Sequence, residues 1–85
     1  MSEKTQFELP EGRLCAAGRA LLGWSQGDLE AHSGVARKTI SDFESGRRSL
    51  GDRTKAALFL TLSAEGVRIS VNDKGEVAVL LTPAQ

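Results

Sequence analysis

The chain has 85 residues, 11 basic and 11 acidic, so its formal net charge is zero and its pI about 6.6. That length suits one small domain with a thin core, because a chain of this size buries only about 60% of its unfolded surface. The single cysteine, Cys15, excludes an internal disulfide, and the absence of a long apolar run or signal-peptide pattern points to a cytoplasmic protein without a membrane span.

Residues 1–9 are mostly polar and read as a flexible N-terminal arm. Pro10 suits the first position of a helix, where its missing N–H costs nothing. Leu14, Ala17, Gly18 and Leu21 recur at helical spacing, which predicts a first helix from Pro10 to Leu22 with Gly23 as its stop. Cys15 within it reads as a small buried apolar residue, not a reactive thiol. Gly18 on the apolar stripe implies close backbone approach to another helix.

Ser25 followed by Asp28 is a capping-box pattern that opens a second helix; Leu29 faces the core and Gly34 ends it. A third helix is predicted over Arg37–Ser45, with Ile40 and Phe43 as inward anchors and Gly46 as its stop. Ser49 with Asp52 repeats the capping spacing, so a fourth helix runs to Glu65 and stops at Gly66. Ala56, Ala57, Leu58, Phe59, Leu60 and Leu62 cover more than one of its faces. Three short helices offer too little partner for such a helix, which implies burial at a subunit interface.

The period then changes. Val67, Ile69 and Val71 alternate with Arg68 and Ser70, and Val77, Val79 and Leu81 alternate with Ala78 and Leu80. Asn72-Asp73-Lys74-Gly75 between them reads as a hairpin turn. The domain therefore divides into a helical part over 10–66 and a hairpin over 67–82, with Pro83 ending the second strand. A lone hairpin is marginal in water, so it must pack on the fourth helix or pair with a second chain. The fold class is mainly α, four helices followed by a C-terminal β-hairpin.

Two short amphipathic helices joined at Ser33-Gly34-Val35 form a helix-turn-helix pattern, whose second helix can enter the DNA major groove. Arg37, Lys38, Ser41 and Asp42 face away from its apolar side and are the residue types that meet base edges and phosphates. Net neutrality argues against nucleic acid, since most DNA-binding domains are basic. Placement argues for it, because Arg37, Lys38, Arg47 and Arg48 fall in one short stretch with Arg53 and Lys55 just beyond.

Other chemistry is thin. His32 has no cysteine or acidic cluster around it and reads as a turn residue, not a ligand. Trp24 reads as a wedge between the first two helices. The glycines form no phosphate-binding loop, and no nucleophile–base pair is visible. No metal, cofactor or enzymatic activity is expected.

Leu21-Leu22-Gly23-Trp24-Ser25-Gln26, Asp28-Leu29, Ser33-Gly34-Val35 and Thr39-Ile40-Ser41-Asp42-Phe43-Glu44-Ser45-Gly46-Arg47, in that order, resemble the Xre-type, lambda-repressor-like (Cro-like) helix-turn-helix family of bacteria and phages. The resemblance covers about residues 13–60. The hairpin looks like the short C-terminal extension of some small bacterial members. The resemblance implies a recognition helix at 37–45. It places Arg37, Lys38, Ser41 and Asp42 at base-reading positions, with Asp42 either accepting from cytosine or orienting Arg37 or Lys38. Ser25, Gln26, Thr39, Arg47 and Arg48 fall at phosphate-contacting positions. It further implies that Arg19 pairs with Glu44, and that Trp24, Ile40 and Phe43 are structural.

Two positions depart from the family pattern: Ala36 replaces the usual Ser or Thr before the recognition helix, and Glu30 replaces the usual Ala in the second helix. The implied function is a homodimeric, sequence-specific regulator of transcription, usually a repressor, on a palindromic operator in double-stranded DNA. Its dimer interface is expected at Leu58, Phe59, Leu62, Val67, Ile69, Val77 and Val79. The alternative is an antitoxin or adaptor that uses the same fold to hold a protein partner, such as a toxin or a polymerase. The missing cap at Ala36 and the net neutrality motivate it.

Overall fold

A computed structural model describes residues 11–83; the arm assigned to residues 1–9 and the helix start at Pro10 lie outside the described residues. The element order is α1 (Glu11–Leu22), α2 (Gln26–Ser33), α3 (Arg37–Glu44), α4 (Asp52–Ala64), β1 (Val67–Val71) and β2 (Val77–Leu81). The architecture is thus mainly helical, a four-helix helix-turn-helix bundle followed by an antiparallel hairpin.

Local chemistry sets the helix ends. Ser25 Oγ accepts from the Asp28 N–H at 2.9 Å, while Asp28 Oδ2 accepts from the Ser25 N–H at 2.9 Å. This reciprocal box fixes the start of α2 and is worth about 1 kcal/mol. Gly34 closes the same helix at φ 80°, and its N–H donates to the Glu30 carbonyl at 2.9 Å. The left-handed backbone there is what turns the chain sharply from α2 into α3.

The core is small and shared. Cys15 from α1, Leu29 from α2, Ile40 and Phe43 from α3, Leu58 and Leu62 from α4, and Val67 from β1 are buried together. Leu22, Trp24, Val35, Leu50, Phe59 and Val79 pack around them. Burial of each large member contributes about 1.5–3 kcal/mol, so no element can leave without loosening the rest.

Several expectations are corrected. The buried stripe of α1 is Gly12, Cys15 and Gly18: Gly18 lies on it as expected, Leu14 and Ala17 are only half-buried, and Leu21 is 44% exposed. The reason is close packing. A Cβ on Gly12 would collide with the Phe43 carbonyl oxygen, and one on Gly18 would lie 3.2 Å from Leu62 and Val67 side chains. The face of α1 that touches its neighbours is therefore its smallest, not its most apolar. The second capping box does not form: Gly51, not Ser49, is the N-cap of α4 and provides no side-chain bond. His32 lies in the last turn of α2, not in a turn, and its ring stacks on Trp24 with centroids 4.3 Å apart.

Leu58, Leu62 and Val67 are also corrected. In place of a subunit interface, they are 0–4% exposed within the single chain, because the hairpin folds back over α1 and α4, carrying Val67 into the core and covering Leu58 and Leu62. Phe59 is half-buried, with its ring edge-to-face on Phe43. Val77 and Val79 are half-buried, and Ile69 stays 41% exposed.

The hairpin pairs Val67 with Leu81, Ile69 with Val79 and Val71 with Val77. At the turn, the Asn72 N–H donates to the Glu76 carbonyl, and Asn72 Oδ1 accepts from the Lys74 and Glu76 N–H groups. Gly75, at φ 81°, takes the left-handed position that a three-residue hairpin loop requires.

Candidate nucleic-acid interface

The orientation of α3 is set by one carboxylate. Arg19 in α1 donates through Nε to Glu44 Oε2 at 2.9 Å and through Nη2 to Glu44 Oε1 at 2.7 Å. Its third nitrogen donates to the Trp24 carbonyl at 2.8 Å, which ties the α1–α2 connection into the same group. Gln26 Nε2 in α2 adds a bond to Glu44 Oε1 at 3.0 Å. Glu44 lies at the C-terminal end of α3, and its side chain is only 6% exposed. Two other helices, α1 and α2, thus converge on it through charge-assisted bonds, which hold geometry as well as contributing energy.

The electrostatics follow from this packing. Burial alone pushes the Glu44 carboxyl up, but the bonds from Arg19 and Gln26 outweigh it and hold the group below its ordinary value. Burial, reinforced by the Glu44 charge, pushes the Cys15 thiol up to about 12. Cys15 is therefore a protonated thiol and not a nucleophile at neutral pH. The hydrogen bond to Glu44 likewise raises the Arg19 guanidinium above its ordinary value.

On the outer side of the same helices lies a shallow concavity lined by Gln26, Arg37, Lys38, Ser41, Asp42 and Arg47. The α3 helix presents it by periodicity. Ile40 and Phe43 point inward, while Arg37, Lys38, Ser41 and Asp42 occupy the opposite side. Asp42 sits between Lys38 Nζ at 3.4 Å and Arg47 Nη1 at 3.8 Å. Of the two cations suggested as its partners, it meets Lys38; its second contact is Arg47, not Arg37. Arg37 and Arg48 are exposed. Arg47 and Arg48 follow α3 in the loop, after the Gly46 stop.

Net neutrality of the chain does not describe this face. Glu44 is occupied by Arg19, and Glu11 is engaged by Lys55 at 2.9 Å on the α1–α4 side. Glu65, Asp73 and Glu76 belong to the hairpin region. The concavity is lined by three cations, Arg37, Lys38 and Arg47, and one carboxylate, Asp42, with Arg48 exposed in the loop beyond.

Among the other residues singled out, the Ser25 hydroxyl is used in the α2 cap and Thr39 is half-buried. Ala36 precedes α3 without any side-chain cap bond. Trp24 is half-buried between the core and His32. The role of the Gln26 amide toward Glu44 has no signal in the sequence, because the bond spans two helices.

Residues 16–54 match a helix-turn-helix family model, a span that runs from within α1 to the first turn of α4. A comparison with curated proteins gave no match. No described helix is long and apolar enough to cross a membrane. The capped α2, the glycine turn, the basic outer side of α3 and the family match agree, and this segment belongs to the Xre-type, lambda-repressor-like helix-turn-helix family of DNA-binding regulators.

Proposed function

We propose that the chain is a sequence-specific regulator of transcription that binds a two-fold-symmetric operator in double-stranded DNA as a homodimer. The observation that carries this reading is the concavity over α3, where three cations, Arg37, Lys38 and Arg47, share a single carboxylate on a helix anchored from behind by Glu44. Arg37 and Lys38 reach base edges, where an arginine bonds guanine O6 and N7 in bidentate fashion. Ser41 and Asp42 complete the base-reading set. Asp42, held between Lys38 and Arg47, orients those cations and disfavours bases that present only acceptors. Ser25, Gln26, Thr39, Arg47 and Arg48 meet phosphates. The second hydrogen of the Gln26 amide is left for that contact, since the other serves Glu44.

A dimer presents two recognition helices to half-sites about 34 Å apart, one turn of B-DNA. Repression in the cytoplasm is the simplest outcome, because covering an operator needs no surface beyond the one that binds. Selection of bound sites from random double-stranded DNA tests the proposal. Enrichment of a palindrome with that half-site spacing is expected; no enrichment over the starting pool at moderate salt would sink it.

A further inference from the structure

We infer that Asp42 makes the recognition helix selective by opposing DNA: its carboxylate suppresses binding to random sequence, and that penalty is lifted where the facing strand offers an amino base, adenine or cytosine. This rests on the DNA-binding reading above and adds to it which group works against association and what relieves it.

Two carboxylates near the end of α3 have opposite surroundings. Glu44 is saturated: Arg19 Nε, Arg19 Nη2 and Gln26 Nε2 all donate to it, and its side chain is 6% exposed. Asp42 instead lines the concavity, and its donors are sparse. Lys38 Nζ lies 3.4 Å from Oδ2, near the long limit of a hydrogen bond, and Arg47 Nη1 lies 3.8 Å from Oδ1, beyond it. Among the described residues no other side chain and no backbone N–H donates to this carboxylate. An ionised carboxylate offers about four acceptor sites, so most of that capacity is unused.

Exposure separates the carboxylate from its cations. The Lys38 and Arg47 side chains are 86% and 75% exposed, whereas Asp42 is 17% exposed. An exposed pair at these distances is weak, so both cations can turn to a phosphate. The carboxylate, on its short stem, stays with the helix. A duplex carries one negative charge per about 1.7 Å of its axis. Asp42 therefore competes with phosphates for Lys38 and Arg47 in the free protein, and in a complex it costs affinity wherever no donor meets it.

Base chemistry defines the relief. In the major groove adenine N6 and cytosine N4 are amines, while guanine and thymine offer acceptors and the thymine methyl. A carboxylate accepts and cannot donate. Every base pair holds one such amine, so Asp42 reads the strand on which it lies. Arg37 and Lys38 only donate and have the opposite preference.

Asp42→Asn keeps the size of the side chain and removes its charge. Site selection, followed by titrations of selected and random duplexes, compares it with the wild type. D42N should bind random DNA more tightly, with a salt slope steeper by about one, so that its gain shrinks about threefold from roughly 50 to 200 mM salt. At one operator position the wild type should prefer adenine or cytosine by at least about fivefold, and D42N should lose that preference, because an amide both donates and accepts. If Asp42 serves only to hold Lys38 and Arg47 in place, D42N should instead bind every duplex more weakly, which would overturn the inference. Asp42→Glu retains the charge and should bind random DNA as weakly as the wild type; a gain there would overturn the electrostatic argument.

A test on the wild type needs no variant to fold. Replacing the selected adenine or cytosine by an analogue without the exocyclic amine should lower affinity about fivefold. Unchanged affinity would overturn the proposed contact. A wild type that enriches no site would reject the DNA-binding reading itself, whereas an enriched site whose base preferences all survive in D42N would reject only the role of Asp42.

Discussion

Arg37 and Arg48 carry the same charge in different settings. Arg37 stands in the first turn of α3, on the concave side, while Arg48 lies in the loop beyond it. Arg37→Ala should relax discrimination at one base position by about 1–3 kcal/mol, whereas Arg48→Ala should weaken all sequences alike and lower the salt slope by about one. Binding titrations on operator and random DNA across a salt series separate the two.

Cys15 and Glu44 impose opposite pH limits on stability. Glu44 is held below its ordinary 4.5, so the folded state binds fewer protons than the unfolded chain in acid. Its contribution is complete above about pH 4.5 and falls as pH drops through the folded value. Cys15 is raised from 9.0 to about 12, so the unfolded chain loses that proton first. Stability should therefore decline from pH 9 towards 12, and denaturant titrations should find that decline flattened in Cys15→Ala.

At the scale of elements, α3 is well aimed but poorly started. Glu44 anchors its end to both α1 and α2, while Ala36 leaves its first N–H groups without a side-chain acceptor. The backbone at Ala36, φ −59° and ψ 140°, already has the extended form of a capping residue. Ala36→Ser should thus raise unfolding free energy by about 1 kcal/mol, measured by chemical denaturation. An unchanged midpoint would mean that the helix start is satisfied in another way.

The α2 and α3 boundaries are legible in the chain, because a capping box, a glycine turn and a short apolar spacing act over a few residues. The start of α4 is less so. Ser49 and Asp52 have the right separation for a box, yet the chain enters the helix at Gly51 and leaves Ser49 outside. Spacing alone does not fix the direction from which the backbone arrives.

For the whole molecule, the apolar excess of α4 has two fates. Leu58 and Leu62 close the core under the hairpin, and Leu60 remains 68% exposed. The exposed large apolar side chains therefore lie mainly on the hairpin, at Ile69, Val71, Leu80 and Leu81. If folding is linked to association, the melting temperature should rise with protein concentration. Calorimetry over a hundredfold concentration range checks this; a constant value would mean that the protomer is stable alone.

The order of helices, the hairpin and the helix-turn-helix segment are determined by the sequence itself, because caps, glycine stops and hydrophobic period are local properties. The concentration of cations between Arg37 and Arg48 is equally local, since those residues lie within two turns and a loop. Only the tertiary structure decides that Glu44 gathers bonds from Arg19 and Gln26 at once, and that Gly12 and Gly18, not Leu21, form the packed side of α1. It also decides that Leu58, Leu62 and Val67 close the core of one chain. Those outcomes depend on how closely distant backbones approach, and a hydrophobic pattern records which residues avoid water without recording which neighbour shields them.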